Sequence, residues 1–191
     1  MIGTRGALIS VTVAATLASA AVVLVDRATY DRADYLSRWP DADGDCQNLR
    51  AELLIARSQE PVTFATARAC RVVGGVWRDS LTGSTIREAA ALDVDHVVAL
   101  AEAHRSGAAA WDSATRQAFA IDARNLALTA SGVNRSKGDR DPARWWPPSH
   151  GCAYGARWLD VKAMYGLTFD AAEVRALVER LRDCDSEEHR R

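Results

Sequence analysis

The sequence predicts an α+β domain, on three observations. Val-rich segments bounded by turn residues occupy its middle: Val72-Val73, Val76-Trp77, residues 92–98 and residues 125–129. Two stripes at helical spacing close the chain: Cys152, Ala156, Leu159 and Ala163, then Val174, Leu177, Val178, Leu181 and Cys184. The composition is that of a folding chain, 48% hydrophobic and 26% charged over 191 residues, which supplies a core and excludes a disordered segment. That length fits one domain, and no internal repeat or low-complexity linker divides it.

Twenty-four basic residues stand against 25 acidic ones, a formal charge of −1. Such a balance excludes a polybasic protein that holds nucleic acid by bulk charge, though not a local basic patch. The chain opens with Arg5 and an uncharged run over residues 7–25, mostly Ala, Val and Leu. Residues 1–25 read as an export signal, with Ala18-Ser19-Ala20 as a small-x-small cleavage site, or as an uncleaved membrane anchor. Either reading puts the body, residues 26–191, outside the cytoplasm, secreted or tethered to the membrane.

Residues 26–45 are acidic and turn-rich, and Leu49, Leu53 and Leu54 mark a helix over residues 47–57. Asp41, Asp43 and Asp45 with Glu52 imitate a calcium loop. Glycine comes at its fourth position and not its sixth, so the segment reads first as an acidic turn capping the helix, and second as a calcium site. Residues 58–92 form a strand-and-turn region, and residues 99–124 a loop with short helical pieces, where Asp112-Ser113 caps a helix over residues 114–121. Residues 130–137 read as a short helix stopped by Gly138, and Asp141-Pro142 as the start of another helical turn. His104 reads as a surface residue and His150 as a loop residue. Trp145-Trp146, before Pro147-Pro148, reads as packing for the C-terminal helices, with base stacking as the alternative.

In the C-terminal hairpin Gly166 ends one helix, and the next starts near Asp170, with Glu173 placed for a capping box. An antiparallel pair brings Cys152, at the start of one helix, beside Cys184, at the end of the other. These two are therefore paired, and Cys46 goes with Cys70 by elimination. Each bridge contributes about 3–4 kcal/mol in the chain-entropy account. No C-x-x-C pair suggests structural zinc.

The chemistry concentrates between Asp93 and Lys137. In Asp93-Val94-Asp95-His96-Val97-Val98 the two carboxylates project on one strand face and His96 on the other. The next strand begins with Asn125, and the helix after it carries Asn134 and, one turn on, Lys137. Histidine is a base near neutral pH. A carboxylate with an amide oxygen is a hard-oxygen set for Mg²⁺ or Mn²⁺. Phosphodiester hydrolysis requires such an inventory.

At these residues the sequence resembles the HNH endonucleases of the ββα-metal superfamily. The subgroup is that of exported bacterial proteins related to the C-terminal domain of the GmrSD-type modification-dependent restriction enzyme. The matching text is Leu92-Asp93-Val94-Asp95-His96-Val97-Val98-Ala99-Leu100, Asp122-Ala123-Arg124-Asn125-Leu126 and Val133-Asn134-Arg135-Ser136-Lys137-Gly138-Asp139-Arg140-Asp141-Pro142. Family members commonly carry Pro where Ala99 stands. The resemblance implies a nuclease core over about residues 92–142, with added helices and the disulfide-linked C-terminal hairpin. It makes His96 the general base, Asp95 and Asn134 ligands of a divalent metal (Mg²⁺, with Mn²⁺ or Zn²⁺ as alternatives), and Asn125 the residue that orients the base. Lys137, with Arg135 and Arg140, becomes a phosphate contact. The basic residues from Asn134 to Trp158 form a modest strip suited to DNA. No obligatory protein partner is implied. A non-catalytic extracellular module, binding nucleic acid or stabilised by calcium, is the second reading.

Overall fold

The computed structural model describes residues 29–188; the segment read as an export signal or anchor lies outside them, apart from which no helix among the described residues is long and apolar enough to cross a membrane. The architecture is α+β. Strands β1 (Thr63–Phe64), β2 (Val72–Arg78) and β3 (Thr85–Glu88) form one antiparallel sheet in that order. Strands β4 (Leu92–His96) and β5 (Leu126–Ala130) form a second, in unbroken antiparallel register from Leu92 opposite Ala130 to His96 opposite Leu126.

Helix α1 (Leu49–Arg57) packs against β2, and Trp77, fully buried, donates its indole N–H to the Leu54 carbonyl at 2.7 Å. Asn48, and not the acidic turn, caps this helix by accepting from the Ala51 amide at 3.1 Å. The acidic turn closes on itself: Asp41 accepts from the amides of Gly44 and Cys46, and Asp45 from that of Gln47. The two disulfides are those the sequence pairs, Cys46–Cys70 and Cys152–Cys184, with Cα separations of 5.1 and 5.8 Å.

Helices α2 (Leu100–Arg105) and α3 (Ser113–Ile121) fill the connection between β4 and β5, and α4 (Ser131–Lys137) follows β5 directly and returns onto β4. These pieces make the ββα unit. The hairpin of α5 (Gly151–Met164) and α6 (Ala171–Glu188) covers it. The capping box at α6 is complete, since Asp170 accepts from the Ala172 and Glu173 amides and Glu173 accepts from that of Asp170. Lys162, with no exposed surface, joins the two hairpin helices through Glu173 at 2.8 Å and ties them to α2 through Glu102 at 3.0 Å. Such a cation is tolerable inside only when paired and hydrogen-bonded throughout. Trp145 and Trp146 set their edges against Tyr154, and Trp145 donates to Ser136, so both rings serve packing. Asp141-Pro142 opens one helical turn: the Asp141 carboxylate caps it by accepting from the Ala143 and Arg144 amides, and its carbonyl accepts from those of Arg144 and Trp145.

Asp79 fastens the first sheet to the second. Its buried carboxylate accepts from the amides of Leu81, Thr82 and Ala130 and from the Thr129 hydroxyl. Burial alone would raise this carboxyl, but those four donors outweigh it and hold it below the usual carboxylate range. A depressed folded-state value adds stability that is present above the ordinary carboxylate value of about 4 and is lost as pH falls through the folded value. Asp79→Ala should therefore cost roughly 2–4 kcal/mol at pH 7, where four donors lose a charged acceptor. The difference from wild type should narrow toward pH 3. Urea unfolding at the two pH values checks this, and a pH-independent difference would refute the electrostatic account.

Candidate active site

Alternation along β4 puts Asp93 and Asp95 on the face toward α4. Two residues of strand advance about 6–7 Å, close to the spacing of side chains one turn apart on a helix. The match pairs Asp93 with Asn134 and Asp95 with Lys137. Asp93 accepts from Asn134 Nδ2 at 2.9 Å and from Ser131 Oγ at 3.0 Å. A carboxylate only accepts, so it fixes the amide's orientation and leaves Asn134 Oδ1 free of that contact. Asp93 is the part of the site that the sequence reading did not assign, although its shared face with Asp95 carried the signal.

Lys137 departs from expectation. It is fully buried, and its Nζ donates to Asp95 Oδ1 at 3.1 Å and to the His96 carbonyl at 2.7 Å. Lys137 is therefore no surface phosphate contact. The face of α4 that carries it presses on β4, where a buried ammonium needs a carboxylate partner. Asp95 Oδ2 also lies 3.0 Å from that ammonium but receives no aligned hydrogen bond. Burial pushes the Asp95 carboxyl up, while Lys137 pulls against that rise. A buried carboxylate oxygen without an aligned hydrogen-bond donor, and the oriented amide of Asn134 lining the same cavity, offer the hard oxygens that suit a divalent cation.

His96 is 4% exposed, between the Trp39 ring, stacked at 6.0 Å and 13°, and the Ala120 carbonyl, 2.8 Å from Nε2. A carbonyl accepts only, so Nε2 carries the proton and Nδ1 is the ring's acceptor. Burial pushes the imidazole down to about 4, the Ala120 bond raises it, and the cations Arg32 and Lys137 lower it further. The ring is then neutral at neutral pH, the state that can take a proton. Asn125, also buried, spends its side-chain hydrogen bonds on the backbone and not on this ring. Its side chain accepts from the Val98 amide at 2.9 Å and donates to the Val98 carbonyl at 3.1 Å, and its own carbonyl takes the Val97 amide. These bonds pin the turn that leaves β4, directly after His96. The same bonds end the strand at His96 and not at Val98.

Asp95, His96, Asn134 and Arg135 share a cavity of about 550 Å³. Tyr30 and Arg32, from the N-terminal segment, complete its wall together with residues such as Asp139. Arg140 lies outside it and covers the last carbonyls of α4, at Ser136 and Lys137. Arg157 is spent on the carbonyls of Ala123, Arg124 and Leu126, and Arg144 faces Asp141 at 3.6 Å. Most of the basic strip read from the sequence is thus structural. His104 is also not a surface residue: it is buried, with Nδ1 2.9 Å from the Tyr35 hydroxyl. Asp41, Asp43 and Asp45 are exposed, with carboxylates within 4.8 Å of one another.

Residues 53–180 match the family described as GmrSD restriction endonucleases, C-terminal domain. The chain is also 36% identical, over 155 residues, to a protein of the fungus Arthroderma benhamiae described as an uncharacterized secreted protein, with 79% of this chain and 74% of the relative covered. This relative is a fungal and not a bacterial protein. No solved structure matches the chain.

Proposed function

Because the chain belongs to the family of GmrSD restriction endonuclease C-terminal domains, we propose that it is an HNH-type, metal-dependent endonuclease that hydrolyses phosphodiester bonds of DNA outside the cytoplasm. One observation carries this reading: residues offering a carboxylate (Asp95), an oriented amide (Asn134) and an imidazole (His96) line one cavity. His96 Nδ1 takes a proton from water as the water oxygen attacks phosphorus, and the Ala120 carbonyl shares the charge that arrives on the ring. Asp95 and Asn134 would hold the divalent ion, Mg²⁺ or otherwise Mn²⁺ or Zn²⁺, which neutralises charge developing on the phosphate and the leaving oxygen. Asp93 and Lys137 position these ligands, and Asn125 positions the base. Export is supported by the apolar N-terminal run, by two disulfides, which persist in oxidising compartments, and by the secreted fungal relative.

The test is a plasmid-nicking assay on protein with both disulfides formed. Supercoiled DNA should relax in Mg²⁺ or Mn²⁺, remain intact in EDTA and be nicked again on metal add-back. Absence of nicking in every divalent metal would overturn the enzyme and favour a non-catalytic nucleic-acid-binding module.

A further inference from the structure

We propose that Arg32 is a phosphate-binding residue of this cavity, contributed by a segment outside the ββα unit; the proposal rests on the nuclease reading above and deepens it. A phosphodiester entering the cavity brings its negative charge toward Asp95 and Asp139, so the walls must supply positive charge. Two cationic side chains line it among the described residues, Arg32 and Arg135. The neighbouring cations are engaged elsewhere. Lys137 is sealed against Asp95, Arg140 sits on helix carbonyls, and Arg105 holds Asp139 at 2.6 Å.

The segment that carries Arg32 is built into the domain. Asp31 caps a short 3-10 turn, Arg32–Asp34, by accepting from the Ala33 amide. On its far side Tyr35, 1% exposed, bonds to His104, and Arg116 sits 5.5 Å over the Tyr35 ring while reaching Asp34 at 3.3 Å. Further along, Trp39 stacks on His96 itself. Arg32 thus enters from a turn flanked by Tyr30, edge-on to His104 at 5.6 Å, and by the buried Tyr35, and Arg32 itself is exposed and lines the cavity. A guanidinium held there offers the two-pronged donor that fits phosphate oxygens.

Three variants test the assignment, each with both disulfides formed and its fold checked by near-ultraviolet circular dichroism: Arg32→Gln, Arg32→Lys, and Arg87→Gln on the exposed edge of β3 as the control. Binding of a short duplex in EDTA, followed by fluorescence anisotropy against salt, should show the log–log slope reduced by about 0.9 for Arg32→Gln, the equivalent of one phosphate contact. Arg32→Lys should regain the slope. In the nicking assay, kcat/KM should fall roughly 10²-fold for Arg32→Gln and recover only in part for Arg32→Lys, because lysine restores the charge and not the fork. Arg87→Gln should match wild type in both measurements. A slope and rate for Arg32→Gln equal to those of Arg87→Gln would overturn the proposal while leaving the nuclease intact. If wild type nicks nothing in any metal, the nuclease reading falls by itself. The slope then decides Arg32: unchanged, it removes the phosphate contact; reduced, it sustains it.

Discussion

His96→Ala should lower DNA cleavage by roughly 10²–10⁴-fold, the range for removal of a positioned general base. The loss should fall on kcat more than on KM, since the buried ring offers little surface to bound DNA. The substitution also leaves the Ala120 carbonyl without its donor and opens space under Trp39, so some stability goes with it, about 1–3 kcal/mol. His96→Gln separates the two effects. Its amide can still donate to Ala120, so the fold should be largely restored while the rate stays low. Imidazole added to His96→Ala has a cavity to enter and should return part of the rate. Near-wild-type turnover by either variant, in protein shown to be folded, would remove His96 from the mechanism.

Both the legibility of this site and its limits have physical causes. The elements of the ββα unit are short, and the strand alternation that sets Asp93 and Asp95 on one face is fixed by backbone geometry alone. The helix-hairpin disulfide was legible for the same reason, since a 3.6-residue period places Cys152 and Cys184 on facing stripes. Lys137 was misplaced because a lysine on a short helix beside glycine carries no sign of burial in its own sequence. What buries it is the contact of α4 with β4, a tertiary event. His104 and the N-terminal segment were missed likewise. Tyr35 and His104 stand 69 residues apart, and nothing in either stretch announces the other. Charge alone makes Arg140, Arg144 and Arg157 read as a phosphate-tracking surface. Each instead finds protein acceptors, because arginine supplies donors wherever carbonyls crowd at a helix end or a strand exit.

Asp95→Asn should abolish metal-dependent cleavage and leave the domain folded, whereas Asp95→Ala should abolish cleavage and also cost several kcal/mol of stability. The difference comes from Lys137, whose ammonium donates to Asp95 at 3.1 Å and has no exposed surface. Both substitutions remove the counter-charge, but the asparagine oxygen still accepts from the ammonium, so the full loss of roughly 3–5 kcal/mol falls on alanine and a smaller one on asparagine. Lys137 bears on the metal as well. Asp95 is the one carboxylate assigned to the ion, and its charge is already shared with an ammonium, while Asn134 adds a neutral oxygen. A divalent ion should therefore bind weakly to the free protein and more tightly once phosphate oxygens join the shell, because Mg²⁺ keeps several waters and gains most from added anionic ligands. Coupling between two ligands is reciprocal, so metal should tighten DNA binding by the same factor. Asn134→Asp probes the same balance. It adds charge at the ligand position, but it also replaces the N–H that reaches Asp93 Oδ2 at 2.9 Å with a second carboxylate. The pair should repel when empty and hold free metal more tightly than wild type does. Calorimetric metal titration of wild type, Asp95→Asn and Asn134→Asp, with and without a short uncleavable duplex, measures all of these effects. Equal metal affinity with and without DNA would refute the shared-shell account, and vigorous metal-independent nicking by Asp95→Asn would refute the metal mechanism itself.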